Sequence, residues 1–291
     1  LMPGLLGPRR GFEELAQKDP PALAAKVQRQ IGPFVLRRTK KQVAQELPPK
    51  SEFELICPMT DLQKREYNRL IESAREELGS DFGEAARYRA VNVLSLLTRL
   101  RQCCCDPAQL PGVSADATQS GKLNVLNDRL TELIENGHKV VIFSQFTGVL
   151  ERVKQSLRLA FPDTPLEVLT GATRDRSEPV QRFQKGKGAA VMLVSLRAGG
   201  TGITLHAAEY VFLMDPWWNP AVEQQAIDRV HRIGQKKRVF VYRMISAGTI
   251  EERMQQLQKE KSQLFDASVG QLEDGTDLSR IFESWEALLK G

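Results

Sequence analysis

Ala189-Ala190-Val191-Met192-Leu193-Val194-Ser195-Leu196-Arg197-Ala198-Gly199-Gly200-Thr201-Gly202-Ile203-Thr204-Leu205 is the stretch on which the fold turns. Residues 189–194 are a short apolar run of strand length. Three glycines then fall within four residues, with Thr201 between them. Such a loop lets the backbone approach a partner closely and exposes its N–H groups, and a phosphate is the natural partner. Plain strand-to-helix turns also use glycine, so this loop alone leaves both readings open.

Working outward, the same texture repeats. Val140 to Phe143, Leu166 to Leu169, Tyr210 to Met214 and Val239 to Arg243 are further apolar runs. Between them lie Phe146 to Leu159, Asp175 to Gln184 and Ala221 to Arg232, each with helical spacing. Strands flanked by helices predict an α/β fold built on a parallel sheet with both faces covered. In such sheets ligands collect beyond the carboxyl ends of the strands.

Upstream the character changes. Residues 1–120 read as mainly helical: Phe12 to Arg29 is periodic apart from Pro20-Pro21, and Asp61 to Leu78 opens on an Asp or Thr cap. Alternation in Glu52-Phe53-Glu54-Leu55-Ile56-Cys57 suggests a short strand. Pro111 to Gly121 is rich in small and turn residues, as in a linker or surface loop. The expected organisation is a helical region over 1–120, the α/β domain over 121–248, and a C-terminal helix and tail over 249–291.

Composition narrows the class. At 41% hydrophobic and 26% charged residues the chain can bury a real core, which excludes a fibrous or wholly disordered protein. No apolar run approaches the roughly 20 residues of a membrane span, and no signal segment is evident. A net charge of +5 permits a polyanionic partner without demonstrating one. The chain begins with Leu1 rather than Met, as a piece of a longer protein would. Of the four cysteines, Cys103, Cys104 and Cys105 are consecutive and cannot all reach one tetrahedral metal, so buried thiols in a reducing compartment are expected.

The most specific stretch follows the Tyr210 strand: Asp215-Pro216-Trp217-Trp218-Asn219-Pro220, then a helix from Ala221. Gln225, Arg229 and Arg232 are spaced by four and three residues and would share one helix face. Val222, Ala226, Val230 and Ile233 form an adjoining apolar stripe. Aligned donors on an anchored helix suit phosphate oxygens. A solvated basic face with Glu223 and Asp228 as local partners fits the spacing equally well. His231 points elsewhere on the helix, which favours a structural hydrogen bond. Packing is expected for Trp217, and contact with a ligand for Trp218 stays open. No G-x-x-x-x-G-K-[ST] and no acidic metal-binding box occur. Arginines facing a phosphate without a cradle of their own would act as arginine fingers toward a nucleotide held on another lobe or chain.

Gln225-Ala226-Ile227-Asp228-Arg229-Val230-His231-Arg232-Ile233-Gly234-Gln235 resembles the last signature motif of SWI/SNF-type ATPases of helicase superfamily 2. Other stretches resemble that family in its order. Pro33 to Lys40 with Leu47 to Lys50 is similar to the join between its lobes. Leu100-Arg101-Gln102 and Gly121-Lys122-Leu123 are similar to the approach to the second lobe, and Gly137 to Phe146 to its opening strand. Thr170 to Thr173, the glycine loop, Asp215 to Pro220, and Thr249-Ile250-Glu251-Glu252 with the helix to Leu264 follow.

The resemblance implies a RecA-like second lobe of a two-lobed motor that translocates along double-stranded DNA. ATP and Mg2+ would be bound mainly by a first lobe absent from this chain. Arg229 and Arg232 would reach the γ-phosphate, with Gln225 helping to place them, and Gly200, Thr201 and Gly202 would border the nucleotide. Ser144, Gln145, Arg197, Thr201 and Trp218 would face the DNA backbone, and no resident metal site is expected. DNA-bound proteins are further expected partners. The expected location is the nucleoid-bearing cytoplasm in a bacterium or the nucleus in a eukaryote. A strand-separating helicase of the same superfamily and a non-catalytic nucleic-acid-binding module are the alternatives.

Overall fold

The computed structural model describes residues 5, 7–8, 11, 15, 18–31, 34, 44, 46–78, 90–196, 202–217 and 219–256. The chain divides into two compact units. Helix α1 (Pro20–Ile31) belongs to the first. Asp19 accepts a hydrogen bond from the Ala22 N–H at 3.0 Å. The Pro20-Pro21 pair therefore stands at a helix start, where a missing N–H does no harm.

Described residues from Leu47 to Gln256 belong to the second unit. It contains β1 (Lys50–Cys57), α2 (Asp61–Leu78), α3 (Ala90–Cys105), α4 (Gly121–Glu135), β2 (Lys139–Ser144), α5 (Thr147–Ala160) and β3 (Leu166–Leu169). Then come α6 (Ser177–Lys185), β4 (Ala190–Ser195), β5 (Tyr210–Leu213), α7 (Pro220–Val230) and β6 (Val239–Ser246). The strands form one parallel sheet in the order β1-β6-β5-β2-β4-β3.

The apolar runs are continuous because both faces of the sheet are covered. Val141, Phe143, Met192, Val194 and Val211 join Phe183 of α6 and Ala226, Ile227 and Val230 of α7 in one core layer. Their neighbours Val140, Ile142, Val191, Leu193 and Phe212 join Leu123, Leu126 and Leu130 of α4 and Val149, Leu150 and Val153 of α5 in the other. Successive strand residues serve opposite layers, as the pleat requires.

Two features lie outside the order expected from the sequence. Strand β1 pairs with β6 from Lys50 opposite Val239 to Cys57 opposite Ser246, so the mainly helical region supplies an edge of the sheet. The linker-like stretch before residue 121 is fastened down: Arg152 bonds the Asp106 carboxylate and the Ala115 carbonyl, each at 2.8 Å, and Asp116 caps a turn at Ala117–Gln119.

All four cysteines are buried and unpaired. Burial pushes the Cys57 thiol up to about 11 and the Cys103 thiol to about 12, as apolar surroundings disfavour the thiolate. Among the described residues no helix is long and apolar enough to cross a membrane.

Candidate functional site

Strand β2 stands between β4 and β5, so the connections reverse direction there, and the loops after these three strands emerge at one end of the sheet. This is the place where open α/β sheets receive ligands. Ser144 and Gln145 follow β2, the glycine loop follows β4, and Met214 to Asn219 follow β5.

Asp215 organises this end and is fully buried. Its carboxylate accepts from the Ser144 hydroxyl at 2.5 Å and from the Gln145 N–H at 3.2 Å, and Arg101 of α3 lies 3.8 Å away. Burial raises the Asp215 carboxyl against the opposing influence of Arg101 and Ser144. Arg101 also donates to the Pro216 carbonyl at 2.5 Å, and Lys122 of α4 to the Met214 carbonyl at 2.6 Å. The turn from Met214 to Pro216 is thus held through two carbonyls and one carboxylate.

The next residues fix the helix. Trp217 packs against the core layer beside α7, as expected, and its N–H donates to Glu223 at 2.7 Å. Asn219 caps α7 by accepting from the Ala221 N–H at 2.9 Å, with Pro220 in the first turn. Glu223 is buried and also receives Arg243 Nε of β6 at 3.1 Å, while Arg243 reaches Glu52 of β1 at 2.6 Å. A chain of polar contacts therefore runs from the loop through α7 to the sheet edge.

Several expectations need correction here. Helix α7 ends at Val230, so Arg232 does not share a helical face with Gln225 and Arg229. His231 takes φ −84° and ψ 78°, and Gly234 turns the chain with φ +103°. The anchoring stripe is Glu223, Ala226, Ile227 and Val230; Val222 is half-buried and Ile233, beyond the helix, is 67% exposed. Ser144 does not present its side chain at the surface, because its hydroxyl is committed to Asp215.

What the fold does bring together is the end of α7 and the exit of the glycine loop. The Arg229 carbonyl accepts from the Leu205 N–H at 2.8 Å, and Arg232 Nη1 donates to the Thr204 hydroxyl at 3.2 Å. Arg232 and Gln225 are exposed and Arg229 is half-buried. Gly202 is exposed with φ +49°. His231 makes the structural hydrogen bond expected of it, to the Pro48 carbonyl at 2.8 Å. Arg197, Gly200, Thr201 and Trp218 lie outside the described residues, as do Pro33, Val35 to Lys40 and the part of the expected C-terminal helix beyond Gln256.

Sequence reasoning missed the groups that hold the loops: Asp215, Glu223, Arg243 and Glu251 as buried partners, and Lys122 as a fully buried lysine. Lys122 stands four residues before Leu126, on the face of α4 that Leu123, Leu126, Leu130 and Leu133 bury, but spacing alone does not tell a buried lysine from a solvated one. Among the described residues no group of three or more His, Cys, Asp or Glu is placed to hold a metal ion.

Residues 1–109 match the SNF2-related domain and residues 121–234 the helicase conserved C-terminal domain, in tandem over most of the chain. The chain belongs to the SNF2 family. An uncharacterized ATP-dependent helicase of Mycoplasma genitalium is 36% identical over 265 residues, 91% of this chain and 25% of that protein. The SWI2/SNF2 ATPase core domain of Sulfolobus solfataricus superposes with a TM-score of 0.68 at 32% identity, covering all of this chain and 59% of that one. The same core in complex with double-stranded DNA gives 0.65 at 31%, covering 100% and 61%. This SNF2-family chain spans about a quarter of the length of the curated relatives it matches. Its sheet is the RecA-like fold of those cores.

Proposed function

We propose that this chain is the C-terminal half of an ATP-driven motor that translocates along double-stranded DNA. The observation that carries the reading is the placement of Arg232. An exposed guanidinium stands two residues beyond a helix anchored in the core, hydrogen-bonded to Thr204 on the way out of the glycine loop. Among the described residues it makes no ion pair, which leaves its fork of donors for an anion.

Arg232 and Arg229 act as fingers toward the γ-phosphate of ATP held on a first lobe, with Gln225 one turn before Arg229 on α7, and Gly202 lies in the adjoining loop. The donors present fit phosphate oxygens; Mg2+, bound with the nucleotide, would neutralise phosphate charge. Gln145, Arg197, Thr201 and Trp218 contact the DNA backbone, while Ser144 acts one step back by holding Asp215. Backbone contacts of this kind are independent of sequence and weaken with salt. Because the fingers and the cradle lie on different lobes, closure assembles the catalytic site, and this half alone does not turn over ATP.

The test is ATP hydrolysis by the full-length protein, with and without double-stranded DNA, for wild type and Arg232→Ala. DNA should stimulate the wild type, and the variant should lose about 10³-fold or more in kcat while still binding DNA. A variant that hydrolyses normally but no longer binds DNA would place this helix on the nucleic acid instead. Strand displacement of a duplex would favour the helicase alternative.

A further inference from the structure

Beneath the Met214–Pro216 turn lies a group of four charges drawn from four parts of the chain: Arg101 of α3, Lys122 of α4, Asp215 after β5, and Glu251 in the helix that starts at Ile250. All four are buried, Lys122 and Glu251 completely. Two cations face two carboxylates, so the group is neutral as a whole. Lys122 Nζ is 2.6 Å from Glu251 Oε2 and donates to the Met214 carbonyl at 2.6 Å. Burial alone would lower the Lys122 ammonium, but the Glu251 carboxylate outweighs it and keeps it charged.

The start of the helix at Ile250 is itself pinned on three sides. Glu251 Oε2 accepts from the Ser246 N–H at 2.9 Å at the end of β6. The Ile250 N–H donates to the Tyr67 hydroxyl of α2 at 2.9 Å, and the Ser246 hydroxyl to the Cys104 carbonyl of α3 at 3.0 Å. On the other side, Met214 is three residues from Trp217, whose N–H is held by Glu223 in the first turn of α7.

A buried ion pair is weak evidence for stability, since well-packed apolar residues fill such a space as well or better. What an apolar pair cannot do is hold the Met214 carbonyl. We propose that Lys122 and Glu251 are a positioning pair that joins the helix beginning at Ile250 to the Met214–Pro216 turn, so that the seating of that helix sets the placement of α7 and its arginines. The inference rests on the reading of α7 given above. Neither residue touches substrate; both act through the loop.

The test uses the full-length protein with the double substitution Lys122→Met, Glu251→Leu, and with Glu251→Gln alone. The double variant removes both charges and keeps apolar volume, so it should still fold, with a Tm lowered only as far as the Ser246 N–H and the Met214 carbonyl lose their partners. Its DNA-stimulated kcat should nevertheless fall between about 10- and 100-fold, with KM for ATP and affinity for DNA nearly unchanged, because the loss is one of geometry. The Trp217 amide should exchange with solvent faster in both variants. A folded double variant with wild-type kcat and unchanged Trp217 exchange would overturn the proposal. So would failure of both variants to fold, since the pair would then be a folding requirement. Arg232→Ala in the same assay separates the two readings. If it turns over at the wild-type rate, the finger reading fails, and the exchange of Trp217 alone decides on the pair.

Discussion

Glu223 joins the loop after β5 to the sheet edge, and its removal should be felt at both ends. In Glu223→Ala the Trp217 N–H loses its carboxylate partner at 2.7 Å, and Arg243 loses one of two. A hydrogen bond to a charged group contributes about 1.5–3 kcal/mol. Stranding a buried charge would cost about 3–5 kcal/mol, but Arg243 keeps Glu52 at 2.6 Å and its side chain is 19% exposed, so that part shrinks. We assign it about 1 kcal/mol. The total is about 2.5–4 kcal/mol, or roughly 5–15 °C in Tm for a domain of this size. Glu223→Gln keeps an acceptor for Trp217 and loses only the Arg243 part, about 1 kcal/mol. Thermal and urea unfolding of the chain, read by tryptophan fluorescence, measures both. Equal losses in the two variants, or less than about 1 kcal/mol in Glu223→Ala, would refute the idea that Glu223 holds this loop.

Three further outcomes are expected. Gly121→Ala should destabilise by about 3 kcal/mol, the upper end for overpacking, because a Cβ there would lie 1.8 Å from the Pro58 carbonyl oxygen; a variant that unfolds like wild type would contradict this contact. A thiol reagent at pH 8 should label none of the four cysteines in the folded chain and all of them in denaturant, given their burial; one fast-reacting thiol would contradict it. For Glu52, burial opposes ionisation, but the hydrogen bond from Lys50 and the charge of Arg243 outweigh it and lower the carboxyl below its ordinary 4.5. A depressed acid contributes stability above its unfolded value and loses it as pH falls through the folded one. The stability gap between wild type and Glu52→Gln, followed by urea unfolding, should therefore be full at pH 7 and close as pH drops below 4.5.

Strand β3 runs from Leu166 to Leu169 as its apolar run suggests, and β2, β4 and β5 differ from theirs by a residue or so at their ends. A parallel sheet covered on both faces must make its strands apolar throughout, so this part of the fold is written locally in the chain. The cap of α7 is local as well, since Asn219 and Pro220 act on the very next turn. So is the SNF2 signature, as a string of residues. The end of α7 was not legible, because the helical spacing of Arg229, Arg232 and Ile233 continues past the point where His231 and Gly234 turn the chain.

Order along the chain determined the elements, their layers and the loops that carry chemistry. Tertiary structure alone decided which side chains those loops spend on themselves. Ser144 could read as a surface hydroxyl until the fold set Asp215 beside it, and Lys122 as a solvated lysine until Glu251, far along the chain, met it in the core. β1 could stop as an isolated strand until β6 offered its edge. Each of these depends on two distant segments arriving at one place, where a buried charge or an unpaired strand has to find its partner. Periodicity reports which face of an element is apolar; it carries no record of what the opposite wall of the core supplies.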